Sequence, residues 1–294
     1  RILAKRTTND FGIFEPQSVK TPDETLNIIV QDECSDVVVE GPCGLTFRVK
    51  AQDAAGKIVW DKPGSQFPGI DKNYPYRVMF MGISEDSKKA YVNVIVAGDV
   101  GPSFVDAVDM LTGEVTIILR GELDQKKDPT VQSYYSFVKS TADQSAGYVV
   151  KRVFSGEKSK AELLLVNYSD GSLKSLGDAS PAFEALVAKD IAPNDRGTIL
   201  PGEWNKGFQY LDFSTGVTTQ ASQVGNFEGW SSDASSFVYS RSSQDANDGI
   251  KTLYLKKFKA NGERIIFRQT VTEMKQLEPK PTVGSKIYNF IGIQ

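Results

Sequence analysis

Three carboxylates, Asp71, Asp99 and Glu203, fall in loop-like stretches between strand-like ones. Two such groups on either side of a glycosidic bond are the minimal apparatus for acid and base catalysis of sugar cleavage, one carrying a raised pKa as acid and the other acting as base. No family motif surrounds any of the three, so solvated loop charges are the plainer reading. Beside Glu203 stand Trp204 and Asn205, in the turn-rich run 201–207 that begins Pro201-Gly202 and ends at Gly207. An exposed aromatic ring next to a carboxylate and an amide suits recognition of a sugar or a protein, and a packed tryptophan is the competing reading. A further loop, 242–249, sets Asp245, Asn247 and Asp248 ahead of Gly249. Oxygen donors at that spacing resemble the start of a calcium loop, but the bidentate Glu that completes one is replaced by Lys256, so a polar hairpin is preferred to a weak hard-cation site.

Composition closes off much other chemistry. The 294 residues contain no histidine, which excludes Ser-His-Asp and Cys-His catalysis and histidine-ligated zinc. Two cysteines are too few for a cysteine-built zinc site. No glycine-rich phosphate loop precedes a helix and no haem attachment motif occurs, so no cofactor is expected. A net charge of −3 and a pI near 5.3 supply no basic field for nucleic acid, and no apolar run is long enough to span a membrane. Cys34 and Cys43 flank one short strand-like segment and a turn. A disulfide closing so short a loop would constrain the unfolded chain by roughly 2.5 to 3 kcal/mol, and it implies an oxidising, extracellular or periplasmic compartment. The start at Arg1 fits a mature exported chain or a trimmed one.

The elements that would hold these residues repeat along the chain. A short Asp-containing turn runs into a β-branched or aromatic strand at Asp32, Asp86, Asp143, Asp195 and Asp233. Each is followed by a second strand and a glycine hairpin, at Gly56, Gly113, Gly171, Gly216 and Gly262, spaced by 57, 58, 45 and 46 residues. Between these turns, 91–96, 162–166 and 208–213 are apolar at nearly every position, as buried central strands should be, while 115–119 is mixed. The segment 180–189 dissents: Pro181 and its apolar spacing suit a short helix, although a strand opening the fourth unit is preferred. Trp60 and Trp230 read as packing residues, and the lysine pairs 88–89, 126–127 and 256–257 as edge protection.

The clearest copy is 227–267, with Trp230, Asp233 and Gly262. It resembles the TolB-type, WD40-like β-propeller repeat, in which an apolar residue, Ser and an Asp turn lead into a strand. The resemblance implies an all-β chain: a single propeller of five four-stranded blades, at about 26–62, 77–120, 134–177, 183–220 and 227–267. An extended segment, 1–25, would precede them, and 286–293 would close the ring by completing the first blade. Six blades, or a β-sandwich around 26–62 followed by a smaller β domain, are the alternatives. Propellers host many activities, so function must be argued from sites. The expected function is a secreted or periplasmic, non-catalytic binding or scaffold module for a protein or surface polysaccharide. The alternative is a five-bladed-propeller glycoside hydrolase or lyase using Asp71, Asp99 and Glu203.

Overall fold

The computed structural model describes residues 16–35, 44–71, 74–96, 102–121, 131–155, 158–182, 186–202, 207–242, 250–258 and 264–270. They form an all-β chain of five antiparallel sheets, each a meander in which chain order equals spatial order. The first sheet comprises β1 (Gln17–Lys20), β2 (Leu26–Ser35), β3 (Gly44–Asp53) and β4 (Ile58–Pro63). The second is β5 (Tyr76–Ile83), β6 (Lys89–Val96), β7 (Ser103–Asp109) and β8 (Val115–Arg120), and the third β9 (Val131–Ser140), β10 (Ala146–Ser155), β11 (Lys158–Asn167) and β12 (Leu173–Asp178). The fourth has three strands, β13 (Gly197–Pro201), β14 (Phe208–Asp212) and β15 (Thr218–Ser222). The fifth has β16 (Asn226–Trp230), β17 (Ser236–Ser242), β18 (Ile250–Lys257) and β19 (Arg264–Thr270). The chain divides into two compact units, 1–175 and 176–294.

The Asp-type turn, which lies between the first two strands of four sheets and just ahead of β13 in the fourth, has a specific chemistry. In the third sheet the Thr141 hydroxyl donates to Asp143 Oδ1 (2.7 Å), which also accepts the Ser145 N–H (3.0 Å), while Thr141 Oγ1 accepts the Ala146 N–H (3.1 Å). Ser84 and Asp86 repeat the set, as do Ser231 and Asp233, and the donors hold both of those carboxylates down at about 2. The residue after the turn carboxylate takes a left-handed conformation, at Glu24, Ser87, Gln144, Asp195 and Ala234. In the fourth sheet the turn residue is therefore Asn194, with Asp195 in the left-handed position. The first copy sits at Thr21 and Asp23, ahead of β2, and not at Asp32 as the sequence reading has it. Asp32 lies inside β2, where acidic residues between two apolar runs imitate a turn.

This correction moves the start of the first sheet to Gln17, inside the segment set apart as 1–25, and gives that sheet four strands without 286–293. The run 286–293 lies outside the described residues. The strand expected in 180–189 is replaced by 3-10 turns at Ser180–Ala182 and Ala188–Asp190, and only a single bridge, Ile191 to Thr198, remains where the fourth sheet's first strand would be. Pro181 lacks the N–H that a ladder needs. The sandwich alternative fails because the strands of 26–62 pair in sequential order with β1.

In the first unit, consecutive sheets lock through side chains that satisfy edge N–H groups. On β5, the Val78 and Phe80 N–H groups donate to Asp32 Oδ1 (3.0 Å) and Gln17 Oε1 (3.1 Å) of the first sheet. On β9, Tyr135 and Phe137 donate to Ser103 Oγ (2.6 Å) and Asn93 Oδ1 (2.9 Å) of the second. Each such bond removes an unpaired edge donor, for a net gain of about 1 kcal/mol. One apolar core, including Ile28, Phe47, Val49, Val92 and Phe104, fills the space between the first and second sheets. Trp60 caps it, 9% exposed, with its indole N–H on the Met110 carbonyl (2.8 Å). A second core around Tyr91, Val149 and Tyr168 joins the second and third sheets. In the second unit, Phe208, Tyr210, Phe227, Phe237 and Tyr239 form an aromatic core between the fourth and fifth sheets.

Candidate binding site

Residues 187–190 set up a cavity that holds a buried carboxylate. Val187 is extended, and the chain then turns once through Ala188–Asp190. Asp190 Oδ2 accepts the Val187 N–H at 2.8 Å, and the Asp190 N–H returns to the Val187 carbonyl at 3.0 Å. The Trp230 indole N–H donates to the Asp190 carbonyl at 3.0 Å, tying the turn to β16. Asp190 is thus fixed through side chain, N–H and C=O together, and it is 2% exposed.

Around it, Val187, Lys189, Pro201, Gly202, Gly207, Phe208, Gly225, Asn226 and Phe227 complete a cavity of about 200 Å³. The ends of β13 and the start of β14 reach it as a hairpin closed by the Gly202 N–H on the Gly207 carbonyl (3.2 Å). Gly207 is held at φ +93°, and a side chain there would overlap the Ser222 carbonyl, so this glycine is required by packing. Burial pushes the Asp190 carboxyl up to about 6, opposed by the Val187 N–H and the Lys189 charge. Lys189 is exposed at the rim with its ammonium on the Phe227 carbonyl (3.3 Å).

In the sequence, Glu203, Trp204 and Asn205 lie between Gly202 and Gly207. These three residues lie outside the described residues, while their flanking glycines line the cavity. Asp71 belongs to the first unit, between β4 and β5. Its carboxylate residue is exposed, its N–H donates to the Tyr76 hydroxyl (3.3 Å) and its C=O accepts from Tyr74 (3.0 Å). Asp99, Asp245, Asn247 and Asp248, Gly262, Cys43 and the side chain of Cys34 also lie outside the described residues. Among the described residues no group of three His, Cys, Asp or Glu could hold a metal, and no helix is long and apolar enough to cross a membrane.

Sequence reasoning missed Asp190. Its signal was available: an acidic residue three positions after Val187, just ahead of the fourth Asp-type turn, where its carboxylate can cap a tight turn. A second buried acid, Asp106, was also missed, although it interrupts the apolar positions Phe104 and Val108 of one strand face.

No protein-family model and no curated protein sequence matches the chain. Solved structures do. The dipeptidyl peptidase 4 of Porphyromonas gingivalis superposes with a TM-score of 0.52 at 12% identity, covering 88% of this chain and 38% of the peptidase. The β-propeller domain of the Trilobed protease from Pyrococcus furiosus gives 0.46 at 12% identity over 89% of this chain and 71% of that one. An oligogalacturonate lyase gives 0.44 at 12% over 90% and 72%. At this identity the likeness reaches the fold alone, and the chain is an all-β protein with a propeller-like fold.

Proposed function

We propose that the chain is a non-catalytic binding or scaffold module that engages a protein or surface polysaccharide at the cavity around Asp190. The observation that carries the reading is the lining of that cavity: among the described residues it holds a single carboxylate, Asp190, with Lys189 and Asn226 as its other polar side chains. Such a site can grip one group of a partner, whereas glycosidic cleavage needs a second carboxylate at a matched distance. In the hydrolase or lyase reading the carboxylates would be Asp71, Asp99 and Glu203. Incubation with a panel of neutral and acidic polysaccharides is expected to release no new reducing ends or unsaturated products. Release that disappears in Glu203→Gln would overturn the binding reading.

The five sheets are proposed as blades of one TolB-type propeller, with 286–293 contributing to its closure. Export to the periplasm or cell exterior is proposed from the cysteines. Ser35 pairs with Gly44 across β2 and β3, so Cys34 and Cys43 each precede a member of the same strand pair. Both thiols are expected to resist alkylation in the unfolded protein until a reductant is added. Free thiols in material from an oxidising compartment would remove this argument for export.

A further inference from the structure

The cavity offers an unusual balance of groups for a binding site. Oδ2 of Asp190 accepts the Val187 N–H and no described residue is hydrogen-bonded to Oδ1, so the buried carboxylate keeps one acceptor oxygen for a ligand. Val187, Pro201, Phe208 and Phe227 are the apolar residues of the cavity's lining with side chains larger than a methyl. Only Asp190, Lys189 and Asn226 among the described lining residues carry polar side chains, few partners for a sugar's several hydroxyls. The cavity is well matched to a ligand with an aliphatic stem and one cationic head. A volume of about 200 Å³ is ample for a single long side chain.

Charge over the second unit, 176–294, is balanced at thirteen Asp and Glu against thirteen Lys and Arg, so attraction for a cation comes from Asp190 locally and not from a net field. Lys189 is the one cation among the described lining residues, and it is exposed and already donating to the Phe227 carbonyl, so solvent screens it. Glu228 on β16 adds a further negative group on the strand packed against the turn, and β13 carries no charged residue.

We propose that the cavity takes one lysine or arginine side chain of a protein partner, with Asp190 Oδ1 as its counter-ion and Val187, Pro201, Phe208 and Phe227 around its stem. The assignment rests on the binding reading above and narrows it to a basic protein segment. Because burial raises the Asp190 carboxyl to about 6, the ionised form that a cation requires is lost as the pH falls through that value.

The test uses the full chain and two blocked pentapeptides, acetyl-Gly-Gly-Arg-Gly-Gly-amide and its citrulline counterpart, which has the same shape without the charge. Titration calorimetry or NMR at about millimolar peptide is expected to show the arginine peptide binding about tenfold or more tightly than the citrulline one. That affinity should fall by about tenfold per pH unit below about 6. Asp190→Asn, which can still accept the Val187 N–H, should abolish the difference between the peptides. Equal binding of the two peptides would overturn the cationic assignment while leaving the cavity as a binding site. Preference for arginine that survives Asp190→Asn, or no binding of either peptide, would also overturn it. The binding reading itself stands or falls separately, on the polysaccharide panel.

Discussion

Stability of the first unit is expected to fall as the pH rises from about 4 to about 8 and then to level off, and Asp106→Asn is expected to abolish that slope. Asp106 sits on β7 between Phe104 and Val108, opposite Val92 on β6 and Ile117 on β8, and faces the apolar core between the first two sheets. It is fully buried and neither carboxyl oxygen has a hydrogen-bond partner among the described residues. Burial alone pushes the group up to about 8, with no neighbouring charge contributing. The unfolded chain releases this proton near the ordinary value of 3.8, and the folded chain holds it until about 8. Between those limits the folded state binds more protons, so raising the pH favours unfolding, by roughly 5 kcal/mol at most across the window. Urea unfolding at a series of pH values reads this directly. Asp106→Val should also raise stability at neutral pH, since it removes an unsatisfied polar group and keeps a strand-compatible shape. An unchanged slope in Asp106→Asn would show that other groups carry the pH dependence.

Gly82→Ala is expected to cost about 3 kcal/mol or more. Gly82 lies at a bulge of β5, and a Cβ there would overlap the ring of Tyr168. That ring cannot retreat easily. It is 1% exposed, stacked on Tyr91 with centroids 5.0 Å apart, and its hydroxyl shares a 3.0 Å hydrogen bond with Ser140, whose own hydroxyl donates to the Met81 carbonyl (2.6 Å). Overpacking of this kind forces backbone or rotamer strain. A double-mutant cycle isolates the cause: in a Tyr168→Ala background, Gly82→Ala should cost under about 1 kcal/mol. Retention of the full cost in that background would locate the strain in the β5 backbone.

Much of this architecture was legible because it depends on local chemistry. The turn at Thr141 and Asp143 is written in adjacent residues, and so are the glycine hairpins at Gly56, Gly113, Gly171 and Gly216, all of which adopt positive φ. Where two signals of the same composition competed, sequence reasoning chose wrongly. The acids of 32–36 looked like a turn, and only the pairing of β1 with β2 shows that Thr21 and Asp23 make it. The fourth sheet lost its expected first strand because Pro181 and the Asp190 cap favour tight turns, a balance that strand propensity does not capture. The candidate site was legible only in part. The turn-rich run 201–207 stands out for Trp204 and its neighbours, but the cavity lined by Pro201, Gly202 and Gly207 depends on Phe227 and Asp190, brought there by tertiary packing. Burial of Asp190 and Asp106 likewise depends on partners distant in sequence.

The most direct test of the account is a backbone amide chemical-shift map of the full chain during titration with the arginine pentapeptide at pH 7.5. The account expects perturbations confined to Val187, Lys189, Asp190, Gly207, Phe208 and Asn226, which disappear in Asp190→Asn and fade below pH 6. Perturbations that centre on Asp71 or elsewhere in the first unit, or that persist unchanged in Asp190→Asn, would contradict it.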